Sequence, residues 1–272
     1  MPSATLSTLS VTSADGTTIA YEASGTGPAL VLVDGAMCYR GMGPSRDLAE
    51  ELRDRFTVLA YDRRGRGESR PGSSPWSVER ELEDLAAVID AAGGRASLLG
   101  VSSGAVLALE AARRGLAVDR VVAYEAPFVL DDSRPPTDPG FTDHVQRLVD
   151  DGRNGAAVSA FLKVVGAPAP VRALMRLMPV WRKLTGVAHT LPNDLALTVP
   201  RQQGRPLEPG YFDAVSVPTS VLAGGKSPAY MRNAQVAIAA AVPGGRFEEV
   251  PGQTHMVKAT VLAPVFARHL AD

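Results

Sequence analysis

Two hydrophobic periodicities take turns along this chain, and the switching between them predicts strands followed by helices. Asp15-Gly16 lies between two alternating stretches, 9–12 and 17–23, and reads as a hairpin turn. Residues 29–33, Ala-Leu-Val-Leu-Val, form an unbroken apolar run, the pattern of a strand buried on both faces. Helical spacing follows over 45–55, then a second buried strand over 56–61. Within 77–92, Leu82, Leu85, Ala86, Ile89 and Ala92 recur at helical intervals with charges between them. Gly93-Gly94 then supplies the left-handed residue that helix ends favour. An apolar run at 96–99, an apolar helical stretch at 105–112 and a strand at 120–124 continue the alternation. The expected fold class is therefore α/β, a mostly parallel central sheet with helices on both faces.

The alternation breaks at about residue 131. Through residue 205 no strand pattern is found, and prolines are dense: Pro135, Pro136, Pro139, Pro168, Pro170, Pro179 and Pro192. Helical stretches read at 142–151, 155–165 and 169–178, the last carrying Val171, Leu174, Met175, Leu177 and Met178 just before Val180 and Trp181. A strand at 218–222, a helix at 230–241, a strand at 246–250 and a helix at 261–270 restore the earlier pattern. The expected organisation is a core of residues 1–130 and 206–272 with an inserted helical cap, 131–205. Most apolar residues of such a cap pack against the core. Methionine is flexible enough to line an adaptable pocket as well, and a lid over a cleft excludes water.

Composition narrows the function classes. With 272 residues and 45% hydrophobic content, the chain can bury a large core as one domain with a subdomain. The 28 Lys and Arg residues are scattered and the net charge is −1, so the footprint of a nucleic-acid binder is missing. No apolar run approaches the ~20 residues of a membrane span. The first 13 residues lack a basic segment followed by an apolar one, and Cys38 is the lone cysteine. A cytoplasmic protein is expected, acting on a small-molecule substrate, with no nucleic-acid or membrane partner. A homodimer is admitted by the pattern but not demanded by it.

The candidate chemistry begins at Gly100-Val101-Ser102-Ser103-Gly104, a G-x-S-x-G turn that closes a strand and opens a helix. Such a turn needs small residues on both sides of the serine. It lifts the hydroxyl clear of the backbone, and the following helix N-terminus favours developing negative charge. Ser102 is thus the candidate nucleophile. A serine hydroxyl needs a base, and histidine suits neutral pH. Of His144, His189, His255 and His269, only His255 follows a core strand directly. The first two lie in the insertion, and His269 sits beside Arg268 in the terminal helix, as surface or packing residues. No ligand cluster at helical or turn spacing suggests a metal. Gly65-x-Gly67 lacks the third glycine of a nucleotide loop. No cofactor is expected.

Nearly the whole chain resembles the α/β-hydrolase fold family. The likeness rests on the Ser102 turn, on residues 61–69 (Tyr-Asp-Arg-Arg-Gly-Arg-Gly-Glu-Ser), which resemble that family's D-x-R-G-x-G-x-S turn, on Asp34-Gly35-Ala36-Met37 where the family has its oxyanion loop, and on His255 after the last strand. The resemblance implies an oxyanion hole from backbone N–H groups of Ser103 and of Gly35 or Ala36. It also implies an aspartate after strand 218–222, where this chain has Lys226 and no nearby carboxylate. A lysine cannot orient an imidazole as an anionic acceptor. Glu125, at the end of strand 120–124, is the foremost replacement; Asp131, Asp132 and a protein with no acid at all are the alternatives.

A narrower similarity, to fungal zearalenone lactonases, covers Gly100 to Ala105, Tyr124-Glu125-Ala126-Pro127, Leu130-Asp131-Asp132 and the cap fragment Pro179-Val180-Trp181-Arg182. It implies a serine, histidine and glutamate triad and a tryptophan, here Trp181, that contacts substrate or else simply packs. Met37 and Met178 join it as expected substrate contacts. The expected activity is hydrolysis of a hydrophobic ester or lactone through an acyl-enzyme. Carbon–carbon bond hydrolysis or perhydrolysis with the same triad, and a ligand-binding member of the fold with little turnover, are the alternatives.

Overall fold

The computed structural model describes residues 7–73 and 75–271. Among them, strands β1 (Leu9–Thr12), β2 (Thr18–Ser24), β3 (Ala29–Val33), β4 (Thr57–Tyr61), β5 (Ala96–Val101), β6 (Val118–Tyr124), β7 (Thr219–Gly224) and β8 (Arg246–Val250) form one sheet. Their order is β1-β2-β4-β3-β5-β6-β7-β8. Strand β2 runs antiparallel to both neighbours, and every other pairing is parallel.

The pleat sorts the apolar runs between two faces. Val31, Val33, Leu59, Tyr61, Val121 and Ala123 join one buried cluster with residues of helices α2 (Val78–Ala91), α3 (Ser103–Arg113) and α9 (Ala229–Ala241). Their neighbours Leu30, Leu32, Val58, Ala60, Val122 and Tyr124 join the opposite cluster with α1 (Ser45–Leu52) and α10 (Ala259–Ala271). Continuous apolar strands thus become a sheet covered on both sides. Helix α2 starts where Ser77 Oγ accepts the Arg80 N–H at 3.3 Å, and it ends at Gly93 and Gly94, both at positive φ.

Between β6 and β7 the chain runs through α4 (Phe141–Asp150), α5 (Asn154–Val164), α6 (Ala169–Met175), α7 (Val180–Gly186) and α8 (Leu191–Thr198), with 3-10 turns at Ala188–Thr190 and Val199–Arg201. This insertion has an apolar cluster of its own, including Phe141, Val145, Leu148, Val158, Leu184, Leu191 and Leu195, which Met37 of the core enters. The expected helix 169–178 stops early: α6 ends at Met175, and Pro179 precedes a separate helix. Proline disfavours the helical conformation of the residue before it, so the break falls there. Pro192, read as a breaker, instead lies in the first turn of α8, where its missing N–H has no intrahelical partner to lose. No helix among the described residues is long and apolar enough to cross a membrane.

Candidate active site

The carboxyl ends of adjacent strands β3, β5, β6, β7 and β8 bring the predicted residues to one edge of the sheet, the edge where open α/β sheets bind ligands. Ser102 sits between β5 and α3 at φ 57° and ψ −126°. The turn closes because its flanks have no side chains. A Cβ on Gly104 would run into the Val33 and Asp34 carbonyls, and one on Gly100 into the backbone of Gly104 and Ala105. Among the described residues, the non-glycine positions with positive φ are Met37, Ser102 and Glu125, all on this edge. Each such conformation costs on the order of 1–3 kcal/mol and persists only where the surroundings over-determine it.

His255 lies in the loop after β8 and meets both partners. Its Nε2 is 3.2 Å from Ser102 Oγ, and its Nδ1 is 2.7 Å from Glu125 Oε2. The imidazole side chain is 40% exposed while the glutamate is fully buried, so one end of this hydrogen-bond chain meets solvent and the other is dry. The second Glu125 oxygen, Oε1, accepts the Gly224 N–H at 2.7 Å. That bond shows why a carboxylate from β6 reaches the histidine. At the end of β7, a Cβ on Gly224 would stand 2.6 Å from Gln253, so the histidine loop crosses directly above the strand. Lys226 is exposed, and its backbone N–H donates to the Gln253 carbonyl at 2.8 Å.

Residues that sequence reasoning passed over hold this arrangement. Tyr124 Oη donates to the Thr254 carbonyl at 2.7 Å, tying the histidine loop to β6. Gln235, fully buried on α9, grips both backbone groups of Ala126: Oε1 accepts its N–H at 3.0 Å, and Nε2 donates to its carbonyl at 2.9 Å. Glu125 is thereby fixed from the residue after it. The only signal in the sequence was a polar residue on an apolar helical face.

The loop after β3 lies against the serine. A Cβ on Gly35 would be 2.9 Å from Ser102 Cβ and 3.1 Å from the Val101 carbonyl, so the close approach needs glycine. Ser103 opens α3, and its N–H is one of the first-turn donors that a helix leaves without an internal acceptor. Burial raises the Asp34 carboxyl to about 6, against the pull of Ser45 and Arg66. Burial likewise pushes the Cys38 thiol up to about 12, which keeps it protonated and a poor nucleophile.

The other sequence candidates lie elsewhere. Asp131 accepts hydrogen bonds from Asn233 Nδ2 at 2.7 Å and from the Ser133 N–H at 3.1 Å, and Asp132 is exposed. His144 and His189 are exposed, and His269 is buried with Nε2 2.8 Å from Glu248. Trp181 is partly buried in the insertion cluster, 3.6 Å from where a Gly155 Cβ would be, with the Arg176 guanidinium over its ring. Met178 is 47% exposed between α6 and α7. No group of three or more His, Cys, Asp or Glu suited to a metal occurs among the described residues.

Comparison with known proteins agrees with the fold over nearly the whole length. A family model described as "Alpha/beta hydrolase family" matches residues 24–264. The crystal structure of an alpha/beta hydrolase from Sphaerobacter thermophilus is similar at 44% identity and a TM-score of 0.87, covering 96% of this chain and 99% of that one. The enol-lactonase from Burkholderia xenovorans shares the fold at 20% identity and a TM-score of 0.72, covering 98% and 100%. A meta-cleavage product hydrolase from Pseudomonas fluorescens does so at 15% identity and a TM-score of 0.67, covering 98% of each chain. The sheet, the serine turn and these matches together lead to one assignment: the chain belongs to the alpha/beta hydrolase family.

Proposed function

We infer that the protein is a serine hydrolase of carboxylic esters or lactones, with Ser102 as nucleophile, His255 as proton carrier and Glu125 as the triad acid. The observation that carries this reading is the unbroken hydrogen-bond chain from Ser102 Oγ through both ring nitrogens of His255 to a buried carboxylate. With the ring proton on Nδ1 held by Glu125, Nε2 is free to accept the Ser102 proton as Oγ attacks the carbonyl carbon. The carbonyl oxygen becomes an oxyanion received by the N–H of Ser103 and of Gly35 or Ala36. Nε2 then hands its proton to the leaving alkoxide as the C–O bond breaks. A water molecule, deprotonated by the same nitrogen, releases the acid and restores Ser102.

The substrate expected is a hydrophobic small molecule. Met37 supports this, because it links the oxyanion loop to the apolar cluster of the insertion that also includes Trp181. The likeness to zearalenone lactonases, together with the enol-lactonase among similar folds, favours a lactone or an aromatic ester. Trp181 and Met178 then act as cap residues that close over the acyl or alcohol portion. Profiling p-nitrophenyl esters from acetate to decanoate beside a macrocyclic resorcylic lactone tests the reading. A rise in kcat/KM with chain length, or opening of the lactone, is expected; a strong preference for acetate contradicts the apolar site.

A further inference from the structure

We propose that Asp194, a residue of the insertion, is a positioning residue that aims the oxyanion-hole donors, so that the cap and the hole move as one unit. The inference rests on the serine hydrolase reading above and names a group that neither touches substrate nor belongs to the triad. Asp194 lies on α8 and is 1% exposed. Its Oδ1 accepts from Arg63 Nη1 at 2.7 Å and from Ser103 Oγ at 2.8 Å, and its Oδ2 accepts from Arg66 Nη2 at 2.5 Å. The two arginines keep this carboxylate ionised against the effect of burial.

Both arginines pass the constraint to the loop after β3. Arg66 Nη1 donates to the Gly35 carbonyl at 2.7 Å, and Arg63 Nη1 donates to the Asp34 carbonyl at 3.3 Å. A trans peptide is planar, with its C=O and the following N–H pointing in opposite directions. Holding the Gly35 carbonyl therefore aims the Ala36 N–H away from Arg66, and holding the Asp34 carbonyl aims the Gly35 N–H away from Arg63. These are the two candidate upstream donors, and Gly35 lies against Ser102. The third donor belongs to Ser103, whose hydroxyl binds the same carboxylate. One side chain of the insertion thus touches the supports of every donor in the hole.

Charge makes the link strict. Arg63 is also gripped by Glu81, through Nε to Oε2 at 3.0 Å and Nη2 to Oε1 at 2.7 Å. Arg63 is ion-paired with Glu81 and Asp194, and Arg66 with Asp194, all at most 2% exposed. Removing the Asp194 charge takes from buried Arg66 the carboxylate it is ion-paired with, and the guanidinium groups turn toward other acceptors. A displaced hole donor is worth about 10²–10³ in turnover when lost outright, so a tilt of the peptide planes is expected to lower kcat about 10- to 100-fold.

The test compares parent and Asp194→Asn with a p-nitrophenyl ester, an alkyl trifluoromethyl ketone that forms a tetrahedral adduct, and the carboxylic acid product. The variant is expected to lose ketone affinity by the same factor as kcat, while KM and product affinity change less than about threefold. Thr190→Val provides a second reading if Asp194→Asn does not fold. It removes the Oγ1 that accepts from Arg66 Nε at 3.0 Å, and it should give the same pattern at smaller size. Equal losses of ketone and product affinity in the folded variant, or unchanged ketone affinity, overturn the proposal. A parent enzyme that neither turns over an ester nor binds the ketone overturns the hydrolase reading instead.

Discussion

Replacing Glu125 with glutamine changes one oxygen to an NH2 group and almost nothing in shape, yet the geometry predicts a large loss. Both carboxylate oxygens accept at 2.7 Å, one from the Gly224 N–H and one from His255 Nδ1–H. Glutamine has one acceptor oxygen, so one of these donors must face an NH2 group. If the amide oxygen stays with Gly224, the NH2 meets Nδ1 and drives the ring proton to Nε2, which then cannot accept from Ser102. If the oxygen turns to His255, two donors face each other in a fully buried site, at about 1–3 kcal/mol. Loss of the carboxylate from a Ser-His-Asp triad lowers turnover about 10⁴-fold, or roughly 5.5 kcal/mol, and the same order is expected here. The assay is kcat/KM on the preferred p-nitrophenyl ester at pH 7.5, with a thermal melt to verify folding. Asp131→Asn is the control and should retain parental activity, because Asp131 bonds Asn233 and Ser133 rather than the histidine. A Glu125→Gln enzyme within tenfold of the parent, or an Asp131→Asn enzyme that collapses, would refute the assignment.

Gly35→Ala forces a Cβ to within 2.9 Å of Ser102 Cβ and should lower kcat/KM on the order of 10²-fold, read by steady-state kinetics. Gln235→Leu strands the N–H of Ala126, at about 1–3 kcal/mol, and leaves its carbonyl only the Phe128 N–H at 2.8 Å, so urea denaturation should show a clear loss of stability together with reduced kcat. Asp34 holds its proton more tightly folded than unfolded, its carboxyl rising from 3.8 to about 6, so its contribution is present below pH 4 and is lost as pH rises through 6. Compared with Asp34→Asn, the parent should therefore lose up to about 3 kcal/mol of stability between pH 4 and pH 7, measured by denaturation at both values; a constant difference would contradict this.

The sheet was legible because buried strands write their burial directly as apolar runs. Residues 29–33, buried at four of five positions, were read with the bounds the strand has. Ser102 was readable for a related reason: a turn that leaves no room for a Cβ on either side demands glycines, and glycines can be counted. The insertion was harder. Pro179 and Pro192 look alike in sequence, but one divides two helices and the other starts one, and only tertiary context separates them. Glu125 could be proposed because Lys226 occupies the usual acid position, yet its reach to His255 depends on Gly224 and on the loop crossing above it. The network of Arg63, Arg66 and Asp194 lay furthest from view. Its two arginines stood in a quoted motif, but their shared partner is more than a hundred residues away, and a lone aspartate in an amphipathic helix ordinarily faces water.

Ser102 carries the central claim, and covalent labelling tests it most directly. After incubation with a fluorophosphonate, intact-mass and peptide analysis should find one adduct, on Ser102, forming much more slowly in His255→Ala and not at all in Ser102→Ala. A folded protein that takes up no label, or that takes it on another residue, would contradict the account.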